Sequence, residues 1–183
     1  PAVGNFEIGW LYIPLFILVV VSTANAVNIT DGLDGLSGGL LSMAFAAFAA
    51  ITFIQGNVGI AGFCMAIVGT LLAYTWFNIF PARFMMGDSG SFALGTALGI
   101  VAMLTNSVLV LPIIGAVFVL EGGSSALQIL SKKLFHRKIF LSAPIHHHFE
   151  AIGWPETKVT MRFWVIGAVF AGLGLVIGLL GGG

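Results

Sequence analysis

Apolar residues arrive along this chain in long runs, and polar residues gather in short clusters between them. A helix needs ~20 mostly apolar residues to cross a bilayer. Six stretches are candidates: residues 9–27, 39–55, 58–78, 90–105, 107–131 and 161–180. The fourth is short for a full span. The fifth is interrupted by Glu121-Gly122-Gly123, which predicts a kink or a break there. A charge at the bilayer centre costs ~2.5–3.5 kcal/mol. Glu121 is therefore expected to face the bundle interior, to be protonated, or to mark a bend. The pattern predicts an all-α fold, a polytopic membrane helix bundle forming one transmembrane domain over residues 1–183.

Five loops separate the runs. Those around Gln55-Gly56-Asn57 and Thr105-Asn106-Ser107 are tiny and nearly uncharged, whereas 28–38, 79–89 and 132–160 are polar. Six spans put the three polar loops on one side, and the tiny loops with both termini on the other. All seven cations (Arg83, Lys132, Lys133, Arg137, Lys138, Lys158 and Arg162) lie in or beside the three polar loops. The positive-inside rule makes that side cytoplasmic. Asp31, Asp34, Asp88, Glu150 and Glu156 follow them, and Glu7 falls on the opposite flank.

Composition agrees with the pattern. The chain is 58% hydrophobic and 8% charged, against about 25% charged in soluble domains. Its zero net charge argues against a nucleic-acid partner. The single cysteine, Cys64, allows no internal disulfide and reads as a small buried hydrophobe. The opening residues, PAVGNFEIGW, have no basic n-region and do not read as a signal peptide. Twenty-five glycines suit close packing of helices in lipid.

Three clusters carry candidate chemistry on the cytoplasmic face. The first, NAVNITDGLDGL, spans residues 25–36. Asp31 and Asp34 would share a face on a helical turn, and Gly32 and Gly35 would let the backbone approach a bulky ligand. Capping of the next helix by Asn28, Thr30 or Asp31 explains the same residues equally well. In the second, FMMGDSGS at 84–91, Asp88 precedes a helix expected to start near Ser89. A helix N-terminus stabilises anions, and an aspartate beside it suits Mg2+ and a diphosphate; an N-cap is the plainer alternative. The third, APIHHHFE at 143–150, holds three consecutive histidines that cannot all face one site. Zinc ligation lacks the needed spacing, whereas hydrogen bonds to a phosphate, sugar or uracil edge fit. His136 reads as a loop or headgroup residue. Neither a P-loop nor a G-x-G-x-x-G stretch occurs, so nucleoside triphosphate hydrolysis has no support.

Together, NAVNITDGLDGL, MGDSGSFALGTALG and APIHHHFEAIGWPETKVTMRFW resemble the polyprenyl-phosphate sugar-1-phosphate transferase superfamily, in order, over about residues 22–164. The triple histidine followed by GWPETKV favours the phospho-N-acetylmuramoyl-pentapeptide branch over the N-acetylglucosamine-phosphate branches. The resemblance implies a ten-helix enzyme whose last six helices this chain resembles. It also implies an Asp-Asp pair on an earlier loop; no Asp-Asp occurs here, so this chain is not expected to act alone. The implied reaction moves phospho-MurNAc-pentapeptide from its UDP carrier to undecaprenyl phosphate, giving lipid I and UMP. It would take place at the inner face of the bacterial cytoplasmic membrane, with Mg2+ as cofactor.

By the same resemblance Asp88 is the Mg2+ ligand and Asp31 and Asp34 are its catalytic neighbours. Asn28, Asn78, Met85, Gly87, Gln128, His146, His147 and His148 would contact nucleotide or sugar. Met85 stands where the family usually has an aromatic, which leaves Phe84 as the nearest ring for a uracil. The implied partners are UDP-MurNAc-pentapeptide, undecaprenyl phosphate, the lipid bilayer and a second copy in a homodimer, with no nucleic acid. Two alternatives stand beside this reading. One is a sibling transferase using UDP-N-acetylglucosamine. The other is a non-enzymatic membrane scaffold or transporter, which the clustering of polar groups at one face disfavours.

Overall fold

The computed structural model describes residues 9–181. The flank carrying Glu7, the first residues of the opening stretch and the extreme C-terminus lie outside the described residues, and with them the expected placement of the termini. A 3-10 turn (Gly9–Leu11) leads into α1 (Tyr12–Thr30). There follow α2 (Leu36–Ile54), α3 (Val58–Asn78), α4 (Gly87–Leu104), α5 (Leu111–Ile114), α6 (Ala116–Phe135), α7 (Ile145–Ala151) and α8 (Glu156–Leu180). No strand occurs among the described residues. Five helices, α1 with its leading turn, α2, α3, α4 and α8, are long and apolar enough to cross a membrane. The chain is a multi-pass, all-α membrane bundle.

The fifth expected span differs. It breaks at Gly115, which takes a non-helical φ of −94° and ψ of 28° between α5 and α6. Glu121-Gly122-Gly123, where the break was expected, runs inside the continuous helix α6. Glycine inside a helix costs only ~1 kcal/mol, and Glu121 is held by a buried partner described below. At Gly115 the crowding is local: a Cβ there would stand 3.1 Å from the Leu111 carbonyl oxygen. Lys132 and Lys133 occupy the last turn of α6, where they complement the helix dipole. Other boundaries shift as well. α1 continues to Thr30, so Asn28 lies in its last turn, and α8 starts at Glu156, ahead of residue 161.

α2 is the centre of the bundle, with 72% of its apolar stretch buried. It packs on α3 and α8, while α1 packs on α4 and α6, and α5 leans on α8. Lipid gives no hydrophobic drive between helices, so close approach at small residues must supply the packing. Gly39 of α2 meets the Trp164 ring so tightly that a Cβ would fall 2.2 Å from it. A Cβ at Gly95 of α4 would fall 2.7 Å from Ala24 Cα of α1. Phe45, Phe48, Leu41 and Ile51 fill the core along α2 and are fully buried. This packing brings the end of α1, the start of α4, α7 and the start of α8 to one end of the molecule.

Candidate active site at the acidic turn

Asn28 ties two distant segments together. Its Nδ2 donates to Asp88 Oδ1 at 2.9 Å and to Ser91 Oγ at 2.9 Å. Gly87, at φ +70°, opens α4. Asp88 therefore lies inside the first helical turn, not ahead of Ser89, with an exposed carboxylate at the positive end of the helix. Asp31 ends α1 and is half-buried; its Oδ1 accepts from the Ser37 hydroxyl. Burial pushes its carboxyl above the usual 3.8, and the charge of Asp88 pushes the same way. The Ser37 hydroxyl and the Gly87 amide partly offset this.

Asp34 and Asp31 have different hydrogen-bond partners. Residues 31–35 form a turn, not a helix, and Gly35 at φ +76° reverses the chain into α2. The expected shared helical face is thus absent. Asp34 Oδ2 accepts from the Ala82 N–H at 2.8 Å, in the loop before α4. Capping of the next helix is not what these residues do either. The cap of α2 is Gly35, with no side-chain cap bond, and the Thr30 hydroxyl bonds back to the Ala26 carbonyl at 2.7 Å.

Two amides expected to meet substrate hold loops in this structure. Asn78, fully buried, accepts from the Gly35 N–H at 3.0 Å and donates to the Phe84 carbonyl at 2.9 Å and to Met85 Sδ at 3.5 Å. Gln128 Oε1 accepts from the N–H groups of Ile139 and Phe140 at 2.9 and 3.1 Å, and its Nε2 donates to the Phe140 carbonyl at 2.8 Å. Phe84, half exposed, packs on Phe77 and Tyr74.

The three histidines lie on α7 and take three different roles. His146 is fully buried, with Nδ1 2.8 Å from Glu121 Oε2, also fully buried. Its Nε2 and the Glu121 Oε1 have no partner. The ring lies under Gly32, where an added Cβ would come within 2.5 Å of Nε2. His147 is 43% exposed and pairs with Glu150 at 2.6 Å. His148 Nδ1 accepts from the Leu141 N–H at 3.2 Å. Position 136 ends α6 in the left-handed conformation, φ 53°.

No group of three or more His, Cys, Asp or Glu side chains is placed to hold a metal among the described residues. Asp31 and Asp88 are nonetheless close enough to repel each other, and both offer hard oxygen donors. Mg2+ takes one or two carboxylates and fills its shell with water and substrate phosphates, so this donor set fits Mg2+. It does not fit zinc, which wants nitrogen and sulfur ligands.

The glycosyl transferase family 4 model matches residues 1–106. The chain belongs to glycosyl transferase family 4. As a family 4 chain it is also similar to curated relatives that share one description, phospho-N-acetylmuramoyl-pentapeptide-transferase. The relative from Methylacidiphilum infernorum (isolate V4) is 43% identical over 188 residues, covering 94% of this chain and 51% of that protein. Those from Geobacillus thermodenitrificans (strain NG80-2) and Shouchella clausii (strain KSM-K16) are 44% and 46% identical, covering 94% and 96% of this chain and 53% and 54% of theirs. The chain spans about half the length of the curated relatives it matches.

Within this family 4 site, motif reading missed Ser37, Ser91, Thr160 and Trp164, and gave Glu121 and Glu156 no place in it. The spacing of Glu156, Thr160 and Trp164, four residues apart on one face of a helix, was the available signal. The half-buried Asp31 also yields a stability prediction. A carboxyl raised in the folded state stabilises fully below its unfolded value, and that contribution is lost as pH rises through the folded value. Asp31→Asn is therefore expected to raise the thermal midpoint in metal-free buffer at neutral pH. The gain is at most ~2–4 °C, since water screens a half-exposed charge, and it should vanish below pH ~4. A fall in midpoint at neutral pH would contradict this.

Proposed function

We propose that this chain carries the cytoplasmic-face site of a transferase. The enzyme moves phospho-MurNAc-pentapeptide from its UDP carrier to undecaprenyl phosphate, giving lipid I and UMP for peptidoglycan synthesis. One observation carries the reading: Asn28 holds Asp88 at 2.9 Å across 60 residues of sequence, joining the mouths of two apolar helices. Acidic and amide groups so joined would suit the interface where a soluble nucleotide-sugar meets a membrane-bound acceptor. The description shared by relatives at 43–46% identity supports the choice of substrate. The collection of all seven cations near the three polar loops supports a cytoplasmic orientation of this end.

Asp88, with Asp31 beside it, is the place for Mg2+. Bound there, Mg2+ would neutralise charge on the diphosphate of the nucleotide-sugar. Positioning supplies much of the remaining catalysis in phosphoryl transfer, and several residues serve it. Asn28 fixes the Asp88 oxygen; Asn78 and the Asp34 carboxylate pin the 79–86 loop beside the turn. His147, with a side chain 43% exposed, is open to a substrate contact, whereas His146 is enclosed.

The decisive assay uses the full-length protein in vesicles containing undecaprenyl phosphate, offered UDP-MurNAc-pentapeptide or UDP-N-acetylglucosamine. UMP release with the first alone is the expected result. Release with the second alone would move the chain to the sibling transferases, and release with neither would favour a scaffold.

A further inference from the structure

Every backbone polar group of Asp34 and Gly35 is bonded by a side chain from a distant part of the sequence. The Asp34 N–H donates to Glu156 Oε1 at 2.6 Å, and its carbonyl accepts from Thr160 Oγ1 at 3.2 Å. The Gly35 carbonyl accepts from Trp164 Nε1 at 3.1 Å, and the Gly35 N–H donates to Asn78 Oδ1 at 3.0 Å. Three of the four partners come from α8, spaced at four-residue intervals along one face.

The chemistry of the stripe is selective. Glu156 lies in the first turn of α8, where the helix dipole favours a carboxylate, and a charged acceptor makes its bond to an amide about twice as strong as a neutral one. Thr160 is almost fully buried, so its hydroxyl is costly without a partner. Trp164 fills the space that Gly39 leaves open. The indole therefore packs on α2 and hydrogen-bonds the turn at once.

We propose that Glu156, Thr160 and Trp164 are positioning residues for the acidic turn. They fix its height and rotation against the end of α8, and so fix where Asp31 stands relative to Asp88. Loosening any of them lets the two carboxylates drift apart without unfolding the bundle. The proposal rests on the metal-binding reading above only for its consequence at Asp31 and Asp88; the locking of the turn stands on the hydrogen bonds themselves.

The test uses the full-length protein in lipid nanodiscs, with two readouts. One is hydrogen–deuterium exchange of the 31–36 segment. The other is Mn2+ binding followed by electron paramagnetic resonance, with Mn2+ standing in for Mg2+. Glu156→Ala, Thr160→Val and Trp164→Phe should each speed exchange of the turn and weaken Mn2+ binding by about fivefold, the worth of one hydrogen bond. Glu156→Gln keeps an oxygen acceptor and should retain most of both, a rescue that mere packing would not produce. Exchange and Mn2+ affinity unchanged in all three variants would overturn the proposal. Should the wild type bind no Mn2+ while the exchange differences persist, the metal reading falls and the positioning of the turn stands.

Discussion

Replacing Asp88 with asparagine lowers turnover of the full-length protein by at least ~100-fold, about 2.7 kcal/mol of transition-state stabilisation. The substitution keeps the shape and the Oδ1 acceptor that Asn28 uses, so the contact between α1 and α4 is retained. What it removes is the charge at the helix mouth, where a cation and a diphosphate would gather. The thermal midpoint should therefore hold while UMP release collapses, and the loss should not recover at high Mg2+. Near-normal turnover at low Mg2+ would rule out this role for Asp88.

The second large effect lies below the site. His146 and Glu121 are both fully enclosed and bonded at 2.8 Å. His146→Leu leaves the Glu121 carboxyl buried without its partner, a loss of about 3–5 kcal/mol. Glu121→Leu leaves the imidazole in the same position. Replacing both with leucine should recover much of the loss, because well-packed apolar residues can stand in for a buried pair. His147→Ala removes only a half-exposed pair and should shift stability by no more than ~1 kcal/mol. Thermal midpoints of the three single variants and the double decide this. Losses that simply add in the double variant would show that the pair does not act as a unit.

Apolar run length was enough to find the long apolar helices, because lipid demands long internally bonded segments whatever their neighbours are, but it merged α5 with α6 and passed over α7. It was not enough to end them. Asn28 and Thr30 read as loop or cap residues, yet they belong to α1 because their side chains bond to Asp88, Ser91 and the Ala26 carbonyl. Glu121 looked like a breaking point because periodicity reports one helix at a time. Its partner is 25 residues away on α7. The nearness of Asn28 and Asp31 to Asp88 followed from the family resemblance, which also set Asp34 beside them, whereas Asp34 bonds Ala82 instead. The assignments of Asn78 and Gln128 were not legible, since an amide that binds a ligand and an amide that holds a loop are the same residue in a sequence. The divergence of the three histidines was legible in principle, since adjacent helical residues point ~100° apart. Which one faces inward depended on where Gly32 leaves room.

The bonds from α8 to the turn also set an order of events during synthesis. Asp34 and Gly35 wait for partners 122 and 129 residues downstream. A ribosome adding ~5–20 residues per second takes roughly 6–25 s to deliver them. During that interval α2 can already pair with α3, while the face that Trp164 will cover stays open. The acidic turn is thus among the last parts of this chain to mature. A nascent chain stalled before residue 156 would hold most of its bundle helices and still lack a finished acidic turn.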